Sequence, residues 1–301
     1  MRHDLMSNPV ALLLGTGACL GLLTPLARLA HEAGIDPFLW AALISLVPGF
    51  ALAIVAFRRG CEADMAKLMA FGVTSGIFAY VVPNAILFLA IPHIGSGLAG
   101  LMYALSPVAT AVISSIFGVR PPSRAMLVAV SLGFIGAVLI VLARNTLALP
   151  SAGSWLVIAL AVPVSLAIGN VYRTAKWPER ATPLQIGAMS NLMSAPLLLL
   201  ASMINVGQLD LAPLVHHVPL AAFQWLASLA MFSLFFRLQW IGGPTYLSQI
   251  GYVAAAVSLF IGVGLLDETY PALVWVGAAL IIAGIAASAW DVLVTSKTPR
   301  R

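Results

Sequence analysis

Residues 90–118 read AIPHIGSGLAGLMYALSPVATAVISSIFG, and residues 240–268 read WIGGPTYLSQIGYVAAAVSLFIGVGLLDE. Both carry an isoleucine and glycines near their start, Ile94-Gly95-Ser96-Gly97 in one and Ile241-Gly242-Gly243-Pro244 in the other. Both run on into a small and apolar stretch, Ser106-Pro107-Val108-Ala109-Thr110-Ala111-Val112 against Gly251-Tyr252-Val253-Ala254-Ala255-Ala256-Val257. The offset is about 146 residues with a gap of two, and self-similarity at so long a period marks a duplicated architecture. Working outward, Asp36-Pro37 with Pro48 is echoed by Thr182-Pro183 with Pro196.

The solvent these segments face follows from composition. Hydrophobic residues make up 61% of the 301 positions and charged residues 8%, with a mean hydropathy of +1.02. A soluble fold carries about 25% charged residues, and one of this size has nowhere to bury so much apolar surface. A helix needs about 20 mainly apolar residues to cross ~30 Å of hydrocarbon, and runs this long satisfy their backbone polar groups in lipid only as helices. Ten such runs are expected, near 9–30, 38–57, 67–91, 95–117, 125–143, 154–174, 184–204, 219–239, 244–266 and 271–293. Pro9, Pro219, Pro244 and Pro271 stand at or near their starts, where a missing N–H costs nothing. The first run ends on Arg28 without a small-residue cleavage pattern, so it reads as a retained helix.

The formal charge of +5 does not point to nucleic acid, because Lys and Arg fall in short runs between apolar stretches. They report orientation. With the N-terminus in the cytoplasm, all but Arg28 and Arg144 of the 15 Lys and Arg residues lie on the inner side. Both termini are then cytoplasmic. Five helices per copy is an odd number, so the second copy enters the membrane from the opposite side. The expected fold is an all-α membrane protein of ten transmembrane helices, with 1–149 as one five-helix repeat and 150–301 as its inverted counterpart. Inverted repeats underlie alternating access, with a site at the repeat interface.

The runs Ala90 to Gly118 and Trp240 to Glu268 each resemble the characteristic segment of the EamA family of drug/metabolite transporters, and Gly21 to Ala42 resembles that family's first helix and short external turn. The resemblance covers nearly the whole chain. Within the family it is most similar to the YddG-type exporters of aromatic and other neutral amino acids, which implies a multi-pass protein of the bacterial inner membrane that exports small metabolites. The chain departs from the pattern in two places. Arg120-Pro121-Pro122 stands where many members carry a Glu after the fourth helix, although Asp267-Glu268 keeps an acidic residue after the ninth. No Arg stands near Ile44 or Ser45 in the second helix.

No Asp, Glu, Lys, Arg or His lies near the middle of an expected span, and such residues mark proton and ion pathways. This predicts gradient-driven movement without an intramembrane carboxylate, and weak substrate binding for lack of charge-assisted pairs. The candidate substrate contacts are uncharged. The fourth span carries Ala99, Tyr103, Ser106 and Thr110 along one helical face. The ninth carries Thr245, Ser248, Gln249 and Tyr252 on a comparable stripe. Tyr80 and Asn84 in the third span, Asn170 in the sixth, Asn191 in the seventh, and Gln224, Trp225 and Ser228 in the eighth complete the set. Pro107 is expected to free the carbonyl of Tyr103, and Pro83 that of Ala79, because proline cannot donate four residues back. Such carbonyls accept from an ammonium group, while amide, phenol and indole donors serve a carboxylate. A zwitterion with an apolar side chain fits. Each of these residues is equally explained as helix–helix glue.

Carriers of sugar phosphates or nucleotide sugars want cationic side chains in the cavity, for which only Arg28 and Arg173 are near candidates. A membrane enzyme would need a motif such as H-E-x-x-H or G-x-S-x-G, and neither occurs. A non-transporting scaffold leaves the two polar stripes without a purpose. His216-His217 reads as a solvated loop with no Cys or Glu set beside it, and Cys19 and Cys61 fall in different regions. No metal and no cofactor is expected. The expected partners are a small-molecule substrate, an amino acid, and the lipid bilayer.

Overall fold

The computed structural model describes residues 8–58, 60–119, 123–143, 150–265 and 271–296. All regular structure among them is helical: α1 (Pro9–Glu32), α2 (Pro37–Phe57), α3 (Met65–Gly76), a π-turn (Ile77–Val81), α4 (Val82–Ile116), α5 (Arg124–Ala143), α6 (Pro150–Ala159), α7 (Ala161–Ala175), α8 (Pro183–Val206), the short α9 (Ala212–His216), α10 (Val218–Ser248), α11 (Ile250–Leu265) and α12 (Ala272–Ser296). Six runs are long and apolar enough to cross a membrane: Pro9–Glu32, Pro37–Phe57, Met65–Ser96, Val157–Ala175, Pro183–Val206 and Val218–Ser248. Met102–Ile116, Arg124–Gly136, Ile250–Leu265 and Ala272–Ala287 are shorter apolar helices.

The helix starts follow from local chemistry. Asn8 caps α1, its side chain accepting from the amides of Val10 and Ala11 at 3.0 and 3.3 Å. Asp36 caps α2, accepting from Phe38 and Leu39 at 3.1 and 2.9 Å. Thr182 and Gln185 form a reciprocal capping box on α8. A proline follows each cap at the first helical position, where its fixed φ suits the helix and its missing N–H would have been an orphan.

The expected third and fourth spans meet inside one continuous helical run. The break falls at Gly95, with φ 79° and ψ 161°. In the second half the same device recurs at Gly243, with φ 74° and ψ −176°. Positive φ with ψ near 180° is essentially a glycine-only conformation, so each pair of helices turns without a loop because one residue lacks a Cβ. Two further interruptions divide expected spans. Leu160 separates α6 from α7, and Gln249 separates α10 from α11.

Packing pairs α5 with α12 and α2 with α8, while α1 lies against α10 and α11, α3 against α8, and α4 against α7 and α11. Small residues make these approaches close. A methyl placed on Gly21 would lie 2.7 Å from the carbonyl oxygen of Ala254, and one on Gly72 would lie 2.9 Å from that of Met189. Polar groups stitch the same seams. Thr24 and Ser258 hydroxyls lie 2.9 Å apart, Ser258 Oγ donates to the Gly21 carbonyl at 2.8 Å, and Ser190 Oγ donates to Ser75 Oγ at 3.0 Å.

Candidate functional site

The helices enclose a cavity whose walls come from α1, α2, the π-turn, α4, α7, α10 and α11. Its free volume is about 60 Å³, room for a few waters. Most of the wall is apolar, contributed by Leu20, Leu23, Ile44, Leu166, Met231, Phe232 and Phe235. The polar contributions are Tyr80, Asn84, Tyr103, Ser106, Asn170, Arg173 and Ser248.

Six of the residues singled out in the sequence therefore converge: Tyr80, Asn84, Tyr103, Ser106, Asn170 and Ser248. Nine do not line the cavity, Thr110, Asn191, Ser228 and Thr245 among them. Ala99 is fully buried against neighbouring helices. Gln224 donates to Ser228 Oγ at 3.0 Å within α10, and Trp225, one residue on, is half-buried with its indole N–H unpartnered. The amide of Gln249 donates to the sulfur of Met126, and Tyr252 donates its hydroxyl to the Val130 carbonyl at 2.8 Å. Both are thus spent on the α5 seam. The reason is local: the turn at Gln249 separates the helix that carries Ser248 from the one that carries Tyr252, so a stripe drawn across it as one continuous helix mixes two faces.

The third span holds a second change of register. Over Ile77–Val81 the backbone bonds run five residues back, the Val82 amide reaching the Ile77 carbonyl. In this spacing the amide missing at Pro83 corresponds to the carbonyl of Phe78 rather than that of Ala79. Ser165 of α7 supplies the substitute, donating Oγ to the Phe78 carbonyl at 2.7 Å. Single π-turns in helices often sit at functional sites, and this one presents Ala79 and Tyr80 to the cavity. At Pro107 the Tyr103 carbonyl faces Gly251 of α11. A methyl on Gly251 would press on that oxygen and lie 2.6 Å from the carbonyl carbon.

The sequence places Arg173 near the inner end of its helix, where attraction of an anionic group and an orientation signal explain it equally well, and it predicts no charge-assisted binding. The structure buries it in the cavity wall at 1% exposure. Its Nε donates to Gln239 Oε1 at 2.9 Å and its Nη2 to Asn170 Oδ1 at 2.6 Å. Gln239 in turn donates to the Asn170 carbonyl and to Thr174 Oγ1, at 3.1 and 3.3 Å. The guanidinium carbon lies 4.9 Å from the ring centre of Phe235 and 5.8 Å from those of Tyr80 and Phe236. Cation–π contacts of this kind contribute about 2 kcal/mol when desolvated. Nη1 has no partner, and no carboxylate pairs with Arg173 among the described residues. The signal was present in the spacing of Leu166, Asn170 and Arg173, which recur at i, i+4 and i+7 and so share one helical face.

One turn beyond, Trp177 and Trp240 pack with ring centres 5.0 Å apart. The three aromatics of α10 at 232, 235 and 236 were not selected from sequence, because an apolar residue in a membrane helix carries no mark of what it faces.

Residues 8–142 match the EamA-like transporter family. The chain is 24% identical over 254 residues to the uncharacterized inner membrane transporter YedA of Escherichia coli strain K12, covering 82% of this chain and 79% of that protein. YedA from the O6:H1 and O157:H7 strains matches at the same identity and coverage. A crystal structure superimposes with a TM-score of 0.65 at 19% identity, covering 94% of this chain and 98% of the other, a likeness of fold. The chain is a multi-pass protein of the bacterial inner membrane, related to membrane transporters, and its first half is EamA-like.

Proposed function

We propose that this protein exports small metabolites, aromatic and other neutral amino acids foremost, by alternating access across the inner membrane. The observation that carries the reading is the cavity between the helices, where aromatic, amide and hydroxyl side chains from both halves of the chain meet. An apolar wall with a few convergent polar groups suits a zwitterion with an aromatic or aliphatic side chain. The cavity is too small for such a molecule as it stands, so binding requires its walls to part, as alternating access demands.

In this reading the chain has ten spans in two inverted repeats, 1–149 and 150–301, with both ends in the cytoplasm. The packing supports it, because exchanging the halves leaves the pairing unchanged. The contact of α1 with α11 corresponds to that of α7 with α4, while α2 with α8 and α5 with α12 map onto themselves. The glycine breaks at Gly95 and Gly243 correspond in the same way. Tyr80, Asn84, Tyr103, Ser106, Asn170 and Ser248 are the substrate contacts. No Asp or Glu lines the cavity among the described residues, which supports movement down a substrate gradient rather than proton exchange at a buried carboxylate. A sugar-phosphate carrier is disfavoured, since one Arg is few for a dianion.

Counterflow of labelled phenylalanine in proteoliposomes tests this. Wild-type protein is expected to exchange it, Tyr103→Ala to reduce exchange, and a collapsed pH gradient to leave it unchanged. Absence of exchange for every amino acid in a panel would reject the reading.

A further inference from the structure

We propose that Arg173 is the carboxylate anchor of the cavity, so that every good substrate carries a single negative charge on a carboxylate group. The inference rests on the transport reading above and narrows it. Burying a guanidinium without a counter-charge is costly unless a partner arrives. Here the cation sits in the cavity wall at 1% exposure, and its two resolved acceptors, Gln239 Oε1 and Asn170 Oδ1, are neutral amides. Nη1 retains its donors. The amides hold the guanidinium plane while leaving its charge uncompensated, which is the state a site for an incoming anion requires.

The charge balance selects the anion. One buried cation neutralises a monoanion, whereas a phosphate monoester would leave a net negative charge in an otherwise apolar pocket. The planar guanidinium also matches a carboxylate, to which two parallel N–H bonds can run. Around the cation, Phe235, Tyr80 and Phe236 exclude water, and a low local dielectric strengthens the pair. Neutral acceptors for an ammonium group, Asn84, Ser106 and Ser248, lie elsewhere on the same wall. A zwitterion is therefore held by its carboxylate, with the ammonium end bound by dipoles alone.

The test is competition against labelled phenylalanine counterflow by phenylalanine, phenylalaninamide, 3-phenylpropionate and phenyl phosphate. In wild-type protein the two carboxylates are expected to compete at least ~10-fold better than the amide, the scale of one charge-assisted interaction. Arg173→Gln removes the cation. Asn170→Asp instead places a carboxylate 2.6 Å from it and neutralises it in place, without the loss of packing that could compromise folding of the first variant. Both are expected to abolish the preference for acid over amide, while Arg173→Lys keeps part of it. Equal competition by acid and amide in wild type, preference retained in Asn170→Asp, or stronger competition by phenyl phosphate would each overturn the anchor. Phenylalanine counterflow by wild-type protein would persist in each of those cases, and its absence in wild type would instead refute the transport reading.

Discussion

The seam between α4 and α11 forms one wall of the cavity, and replacing Gly251 by Ala measures how tightly it is closed. A methyl there would press on the Tyr103 carbonyl oxygen and stand 2.6 Å from its carbon, where ordinary contact begins near 3.4 Å. The two helices must therefore separate by about 0.8 Å or more, and the obstacle is backbone, which cannot rotate aside. Overpacking costs about 1–3 kcal/mol, and an obstruction by backbone belongs at the upper end. Alanine returns up to ~1 kcal/mol of helix propensity, so the net loss is about 2 kcal/mol. Gly264→Ala is the internal control: it lies in the same helix with nothing within 4 Å of the new methyl, and gains the propensity alone. The two variants should differ by about 3 kcal/mol, or roughly 6–12 °C in Tm by the scaling for chains approaching this size. Thermal unfolding in detergent followed by tryptophan fluorescence reads the difference directly. If Gly251→Ala and Gly264→Ala melt within 2 °C of each other, the close approach at the proline-freed carbonyl is wrong, and with it the shape of that wall.

Two further outcomes follow from the helix breaks and seams. Gly95→Ala and Gly243→Ala force a residue with a Cβ into positive φ with ψ near 180°, at about 1–3 kcal/mol each; thermal shifts of equal sign and similar size are expected, and a neutral effect at either position would contradict its backbone geometry. A double-mutant cycle of Thr24→Ala and Ser258→Ala, whose hydroxyls lie 2.9 Å apart, should show a coupling near 0.6 kcal/mol, the average for such bonds in membrane helices. Strict additivity of the two effects would mean that the hydroxyls do not meet.

Much of the fold was legible because the bilayer imposes it. An apolar run of given length has one way to satisfy its backbone in lipid, and the caps at Asp36 and Thr182, each followed by proline, announce helix starts by purely local chemistry. The similar segments around Gly95 and Gly243 were visible in the sequence, and the two glycines share one backbone conformation. The interruption at Gln249 and the π-turn before Pro83 were not legible, since each depends on how neighbouring helices supply the missing bonds. Ser165 answering the Phe78 carbonyl lies 87 positions away in the chain.

The site divides along the same line. Sequence alone determined that the polar residues inside the spans are few, uncharged near the centres, and grouped on matching segments, because composition and helical spacing are properties of one chain segment at a time. Which of them face a common space was decided by tertiary packing. Tyr103 and Ser248 reached the cavity, while Tyr252 went to the Val130 carbonyl and Gln249 to Met126. Arg173 shows the difference most sharply: near a helix end it carries the signature of a topology signal, and only the aromatic residues of α10 and the amides of Asn170 and Gln239 make it a buried cation. Burial is a relation between helices, and a single helix's sequence does not contain it.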